Sequence, residues 1–315
     1  MAEIGSDIHK ALDLLNRGEL VAIPTETVYG LAGNALNIDA VAKIFSVKNR
    51  PQFDPLIVHV PDVTHAREYV EGIPDPARAL TDKFWPGPLT ILFRKKPIVP
   101  DLVTAGLETV GIRCPNHRLT RQLLDICSFP LAAPSANPFG YVSPTTPAHV
   151  NEQLGDKIRY ILDGGPCHIG LESTIVGFED SVVVVYRLGG LSVEQIEKEI
   201  GPVDVRTHSV SNPKAPGQLK SHYAPGKRVI LGKLEELIKK FNPEESGILS
   251  FDKDYQTPFQ FILSPTGSIE EAAKNLFTAL RTLEKMPVKI ILAELVPDIG
   301  LGRAINDRLR RSSAS

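Results

Sequence analysis

The residues able to do chemistry in this chain stand in short polar clusters directly after apolar runs, which is where α/β sheets build their sites. The first cluster is Pro24-Thr-Glu-Thr-Val-Tyr-Gly-Leu31, whose Gly30, with Gly33, allows close approach of a ligand to backbone. The same stretch also suits a helix start capped by Thr25 or Thr27. Lys48 and Arg50, in Lys48-Asn-Arg-Pro51, suit phosphate oxygens, the lysine as a point charge and the arginine as a fork. Their other reading is a pair of cations favoured by a helix C-terminus. His59, within the apolar run 56–60, reads as a hydrogen-bonded core histidine. Arg113 stands in an otherwise apolar run, and a buried guanidinium demands a carboxylate or phosphate, from protein or from substrate. Ala133-Pro-Ser-Ala-Asn137 leads into a hydroxyl-rich loop, and Glu172-Ser-Thr precedes a run closed by Arg187.

Missing motifs narrow the chemistry further. The chain has no G-x-x-x-x-G-K-[ST], no G-x-G-x-x-G after a strand, no G-x-S-x-G and no H-E-x-x-H, so nucleotide-loop, dinucleotide-fold and serine-hydrolase readings lose their support. Cys114 with His117 and Cys167 with His168 lack the spacing of zinc fingers, and no protein-held metal is expected.

Elements that could position these clusters follow from periodicity. Asp7 caps a helix with Ile8, Ala11, Leu12 and Leu15 on one face, ended by Gly18, and residues 20–24 form a strand. Residues 25–33 read as a turn, and Asp39 as the cap of a second helix with Val41, Ile44 and Phe45 inward. Further strands fall at 56–60, 90–93, 110–114, 131–133, 160–162, 173–178 and 182–188, with helices at 76–84 and 119–126. Connections that are sometimes helices and sometimes hairpins predict a mixed sheet. Residues 207–226, with three prolines, two glycines and no sustained period, read as a linker. Beyond it, strands at 228–231, 247–251 and 288–293 alternate with helices at 234–241 and 268–285, the pattern of a smaller parallel α/β domain.

Charge and composition agree with two unlike parts. The 315 residues carry 35 Lys plus Arg against 37 Asp plus Glu, net −2. Residues 1–206 hold 19 against 25, net −6, and residues 207–315 hold 16 against 12, net +4. Between Asp204 and Glu235 there is no acid, so that stretch repels itself or meets an anion. Three cysteines cannot supply a disulfide framework, no apolar run approaches the roughly 18 to 20 residues of a membrane helix, and the N-terminus lacks a signal-peptide core. A cytoplasmic location away from membranes is the expectation.

Taken in order, Pro24 to Leu31, Lys48-x-Arg50, Arg113-Cys-Pro, Ser135-x-Asn137, Glu172-Ser-Thr and Arg187-x-Gly189 resemble the YrdC-type domain of threonylcarbamoyl-AMP synthases. The segment Ala215-Pro-Gly-Gln-Leu-Lys-Ser-His-Tyr-Ala-Pro225 and the ending Gly300-Leu-Gly-Arg-Ala-Ile-Asn-Asp-Arg-Leu309 are similar to the longer, two-domain form of that family. The resemblance implies a YrdC-like catalytic domain at 1–206 with a twisted mixed sheet, a linker and active-site lid at 207–226, and a Rossmann-like domain at 227–315. It implies that L-threonine, bicarbonate and ATP give threonylcarbamoyl-AMP and pyrophosphate, with Mg²⁺ held mainly through the phosphates. The product would pass to a tRNA threonylcarbamoyltransferase that modifies the adenosine beside the anticodon of tRNAs reading ANN codons, and the resemblance leaves direct contact of the protein with tRNA open.

By the same resemblance, Thr27, His59, Arg113 and Ser173 take threonine, with Arg113 forking its carboxylate. Arg50, Asp54, Thr109, Asn137, Ser143, Arg187, His222 and Tyr223 line ATP, and Lys48, Arg50, Ser135 and Asn137 stand nearest the reacting groups. Position 54 departs from the family's more frequent Asn, and a carboxylate there repels phosphate unless Lys48, Arg50 or Mg²⁺ compensates. The alternative reading is an RNA-binding module without threonine-dependent turnover, against which the net −6 of residues 1–206 weighs.

Overall fold

Apolar runs bounded by turn residues become strands, and eleven of them join one mixed sheet in a computed structural model that describes residues 1–179, 182–207, 215–216 and 223–314. Across the sheet the order is Glu3–Gly5, Tyr160–Leu162, Val21–Ile23, Gly30–Asn34, Leu131–Ala132, Ile57–His59, Thr109–Arg113, Leu89–Arg94, Thr174–Glu179, Val182–Arg187 and Asp204–Val205. Parallel pairs such as Ile57–His59 with Thr109–Arg113 sit beside antiparallel ones such as Leu89–Arg94 with Thr109–Arg113. The pair Thr174–Glu179 and Val182–Arg187 is antiparallel, as a hairpin requires.

Two expectations change. Residues 25–33 are not all turn: Gly30–Asn34 is a strand antiparallel to Val21–Ile23, with Gly30 opposite Ile23. Gly33 serves packing there, since a Cβ would stand 2.9 Å from Leu20 and 3.3 Å from Ile44. The second helix, Ile38–Lys48, is capped by Asn37, whose side chain accepts from the amides of Asp39 and Ala40. Asp39 instead lies in the first turn, where a carboxylate complements the helix dipole. The first helix, Ile8–Asn16, is capped by Asp7 as its sequence indicates, and Gly18 follows it at φ 68°.

A second sheet, parallel throughout, has the order Arg228–Leu231, Ile290–Ala293, Ser246–Ser250, Gln260–Ile262. The helix Ile269–Lys285 buries Ala272, Leu276, Phe277, Leu280 and Leu283 on a stripe of 3–4 residue spacing. That stripe joins Val28, Val142 and Leu171 of the first part in one apolar cluster. The closing helix, Gly302–Ser312, was not expected as an element: it buries Asp307, Arg308 and Arg311 and so shows little apolar period. Among the described residues no helix is long and apolar enough to cross a membrane.

Candidate active site

Strand register builds the centre of the site. His59 pairs with Arg113, Arg113 with Thr90, Thr90 with Ile175, and Ile175 with Arg187, so one row crosses five strands. Directly paired residues project to the same face, which puts His59, Arg113, Thr90 and Arg187 on one side. A register shift between Val185 and Arg187 lets the last strand bring Arg187 into the row.

Above this row lies a pocket whose wall includes Arg50, His59, Arg113, Ser135, Ser173 and Arg187. Arg113 places Nη2 2.8 Å from Glu26 Oε1 and donates to Thr27 Oγ1 at 2.8 Å. The carboxylate that its burial demanded is therefore supplied by the protein. Thr27 is fully buried behind Arg113 and also meets the Thr25 hydroxyl at 2.7 Å. Ser173 Oγ lies 2.7 Å from Thr90 Oγ1 and accepts from Arg187 Nη2 at 3.0 Å. Arg187 also donates to the Ser173 carbonyl at 3.0 Å and the Pro216 carbonyl at 3.4 Å. Burial lowers the Arg187 pKa to about 10.

His59 is buried, and among the described residues its Nδ1 has no hydrogen-bond partner. Burial first and the Arg113 charge second push its pKa down to about 3, so the ring is neutral at ordinary pH. Arg50 donates to the carbonyls of Asp54 and Pro55 at 3.1 and 2.8 Å, and its Nη2 is 3.0 Å from Asp54 Oδ2. Asp54 is thus an internal counter-charge. Burial raises its pKa while Arg50, Lys48 and Arg187 oppose that rise.

Not every candidate reaches the pocket wall. Lys48 is buried and gives its ammonium to the carbonyls of Ser135 and Asn137 at 2.5 Å each, so it shapes the loop that presents Ser135. Burial foremost, with Arg50 nearby, holds its pKa well below the usual lysine range. The Asn137 amide donates to the carbonyls of Pro138 and Tyr141, and the Ser143 hydroxyl donates to Glu172 Oε1 at 2.5 Å. Thr109 stands apart from the others: it begins the strand that Arg113 ends and lines a separate cavity with Phe93, Arg94 and Phe178. Strand alternation gives the face of a residue but not which end of the strand meets the ligand. His222 lies outside the described residues. Tyr223 is described, buried at the pocket wall with φ 64°, and stacked on Phe277 at 5.7 Å between centroids.

Two carboxylates were quoted within the sequence clusters without being assigned. Glu26 holds Arg113 and also accepts from the Asn116 amide at 3.0 Å. Glu172 faces the pocket, with Oε2 accepting from both Nε and Nη2 of Arg308 at 3.1 and 3.0 Å. Arg308 lies 136 residues away in the chain, so no local spacing could reveal the pair. Burial opposes its charge, but Tyr223, Glu172 and Asp307 more than offset this and its pKa is raised. Glu26, Asp54 and Glu172 are each engaged by an arginine, and among the described residues no three His, Cys, Asp or Glu gather as a metal cage. These residues do not fit a protein-held cation.

A family profile described as telomere recombination matches residues 13–189, and that of the threonylcarbamoyl-AMP synthase C-terminal domain matches residues 191–314. The threonylcarbamoyl-AMP synthase of Pyrococcus abyssi is 42% identical over 323 residues, covering 97% of this chain and 94% of that protein. Its counterpart in Bacillus subtilis is 39% identical over 320 residues, covering 97% and 92%. A crystal structure of P. abyssi Sua5 complexed with L-threonine shares the fold at TM-score 0.93 and 40% identity, covering 99% of this chain and 97% of that one.

Proposed function

This chain belongs to the threonylcarbamoyl-AMP synthase family, and from that premise we propose how its residues divide the work. It is a nucleotidyltransferase that makes L-threonylcarbamoyladenylate, with L-threonine and ATP as substrates. Bicarbonate supplies the carbamoyl carbon in this reading: the threonine amine condenses with bicarbonate, whose C–O bond breaks to release water and leave a carbamate. A carbamate oxygen then bonds to the α-phosphorus as the bond to the bridging oxygen breaks and pyrophosphate leaves. No covalent enzyme intermediate is needed. The protein's task is to align the carbamate with ATP, exclude water and offset phosphate charge.

One observation carries this reading: three guanidiniums, two serines and a neutral imidazole converge on a single pocket without a free carboxylate. Arg113, His59 and Ser173 are assigned to threonine, with Thr27 behind Arg113. Arg50, Ser135, Arg187 and Tyr223 are assigned to ATP, and Asp54 to holding Arg50. Lys48, Asn137 and Ser143 act through the loop they brace. Mg²⁺ would be held by the ATP phosphates and not by protein carboxylates, and would offset part of their charge. The product goes to a separate tRNA threonylcarbamoyltransferase, and both reactions are cytoplasmic.

Residues 1–206, 207–226 and 227–315 are proposed as catalytic domain, lid and C-terminal domain. Pro216 and Tyr223, which bracket the central part of that lid, both lie at the pocket wall, and this supports a lid over ATP. The decisive assay is pyrophosphate release from ATP and bicarbonate with threonine present, omitted or replaced by serine. Threonine-dependent release is expected, and replacing residues 220–223 with Gly and Ser should raise the ATP KM about tenfold. Salt-sensitive tRNA binding without threonine-dependent release would favour the RNA-binding alternative instead.

A further inference from the structure

Both substrates bring negative charge to a pocket whose wall already contains a carboxylate. Left unpaired, Glu172 would oppose the threonine carboxylate and the ATP phosphates together. The group that neutralises it comes from the closing helix of the second part. Arg308 has no exposed surface, and it directs Nε and Nη2 to one oxygen of Glu172 while Nη1 meets Asp307 Oδ2 at 2.8 Å. Its guanidinium lies 4.8 Å from the ring centroid of Tyr223, another residue of the pocket wall. Ser143 occupies the other Glu172 oxygen, so the carboxylate is fixed from both sides.

The support extends beyond Arg308. Asp307 accepts from Arg311 Nε at 3.0 and 2.9 Å, and Arg311 Nη2 donates to the carbonyl of Thr207 at 2.8 Å. The helix Gly302–Ser312 therefore touches Thr207 at the start of the proposed lid, Tyr223 near its end, and Glu172 on one wall of the pocket.

We infer that Arg308 is a positioning residue for this reaction, neutralising Glu172 and seating Tyr223 so that the C-terminal helix completes the substrate pocket. The inference rests on the synthase reading above and assigns the second part of the chain a share in substrate binding. A lysine cannot reproduce the arrangement, because one ammonium lacks the planar fork that spans Glu172 and Asp307 while covering an aromatic face.

The test uses full-length enzyme in steady-state pyrophosphate release, with KM for ATP and for threonine determined separately. Wild-type enzyme without threonine-dependent release overturns the synthase reading itself, whatever the variants do. With active wild type, R308M is expected to raise the KM for ATP and for threonine at least tenfold while kcat changes less than threefold. Removing the stranded charge in R308M/E172Q should recover at least fivefold of the KM loss. A purely structural Arg308 would lower the active fraction, so that kcat falls, both KM values stay at wild type, and E172Q recovers nothing. That pattern overturns the proposal. Should R308M be obtained only unfolded, R308K decides: an ATP KM raised at least threefold supports the positioning role, and a wild-type KM overturns it.

Discussion

Arg113 finds a carboxylate in Glu26 at 2.8 Å and Arg50 finds one in Asp54 at 3.0 Å, so the pocket's cations are oriented before any substrate enters. Such preorganisation spares the reaction the cost of turning dipoles during charge transfer. The same burial that fixes these groups sets a pH dependence through His59. Its pKa is about 3 in the folded protein against an ordinary value of 6.5, with burial as the main cause. Below pH 6.5 the unfolded chain takes up a proton that the folded chain refuses, so stability falls as pH falls, until about pH 3. Each pH unit in that window costs about 1.4 kcal/mol. Urea unfolding should therefore show that His59 removes about 2 kcal/mol between pH 6.5 and about pH 5, a loss that H59Q lacks. Equal losses in both proteins would mean that His59 is protonated in the fold.

Between elements, the crossing of the Arg187 strand over the Glu172-Ser173 segment depends on a glycine. A Cβ on Gly189 would stand 2.5 Å from the Ser173 carbonyl carbon and 2.5 Å from the Thr174 amide nitrogen, all backbone atoms that cannot swing aside. Gly189→Ala should displace Ser173 and lower kcat/KM for threonine at least tenfold. A soluble variant with wild-type kinetics would show that this segment can shift without effect. Such close approaches mark the limit of what the sequence discloses. Strands around His59, Arg113 and Arg187 were legible because their apolar runs are bounded by proline and glycine. Gly30–Asn34 was not, because two of its five residues are glycines that also signal turns. The helix Gly302–Ser312 was hidden because it buries paired charges where periodicity searches for apolar side chains. The row that unites His59, Arg113 and Arg187 depends on register, and register is a property of pairs of strands.

For the whole molecule, the near-neutral net charge conceals parts of −6 and +4, and the contact between them is apolar as well as ionic. Val28, Val142 and Leu171 share a cluster with Leu276 and Phe277, while Lys285 and Glu152 form an exposed pair worth only about 0.5 kcal/mol. The shared core predicts one cooperative calorimetric transition for the full chain. Two separated transitions, one per sheet, would contradict it. The row across the first sheet has a further consequence for anyone preparing this enzyme. Sliding the strand Thr109–Arg113 by one residue would turn Arg113 to the opposite face, so a mispaired molecule loses the site outright instead of acquiring a relaxed one. Specific activity per milligram then counts correctly folded molecules, and a weak batch signals a mixture of active and silent species with unaltered substrate preference.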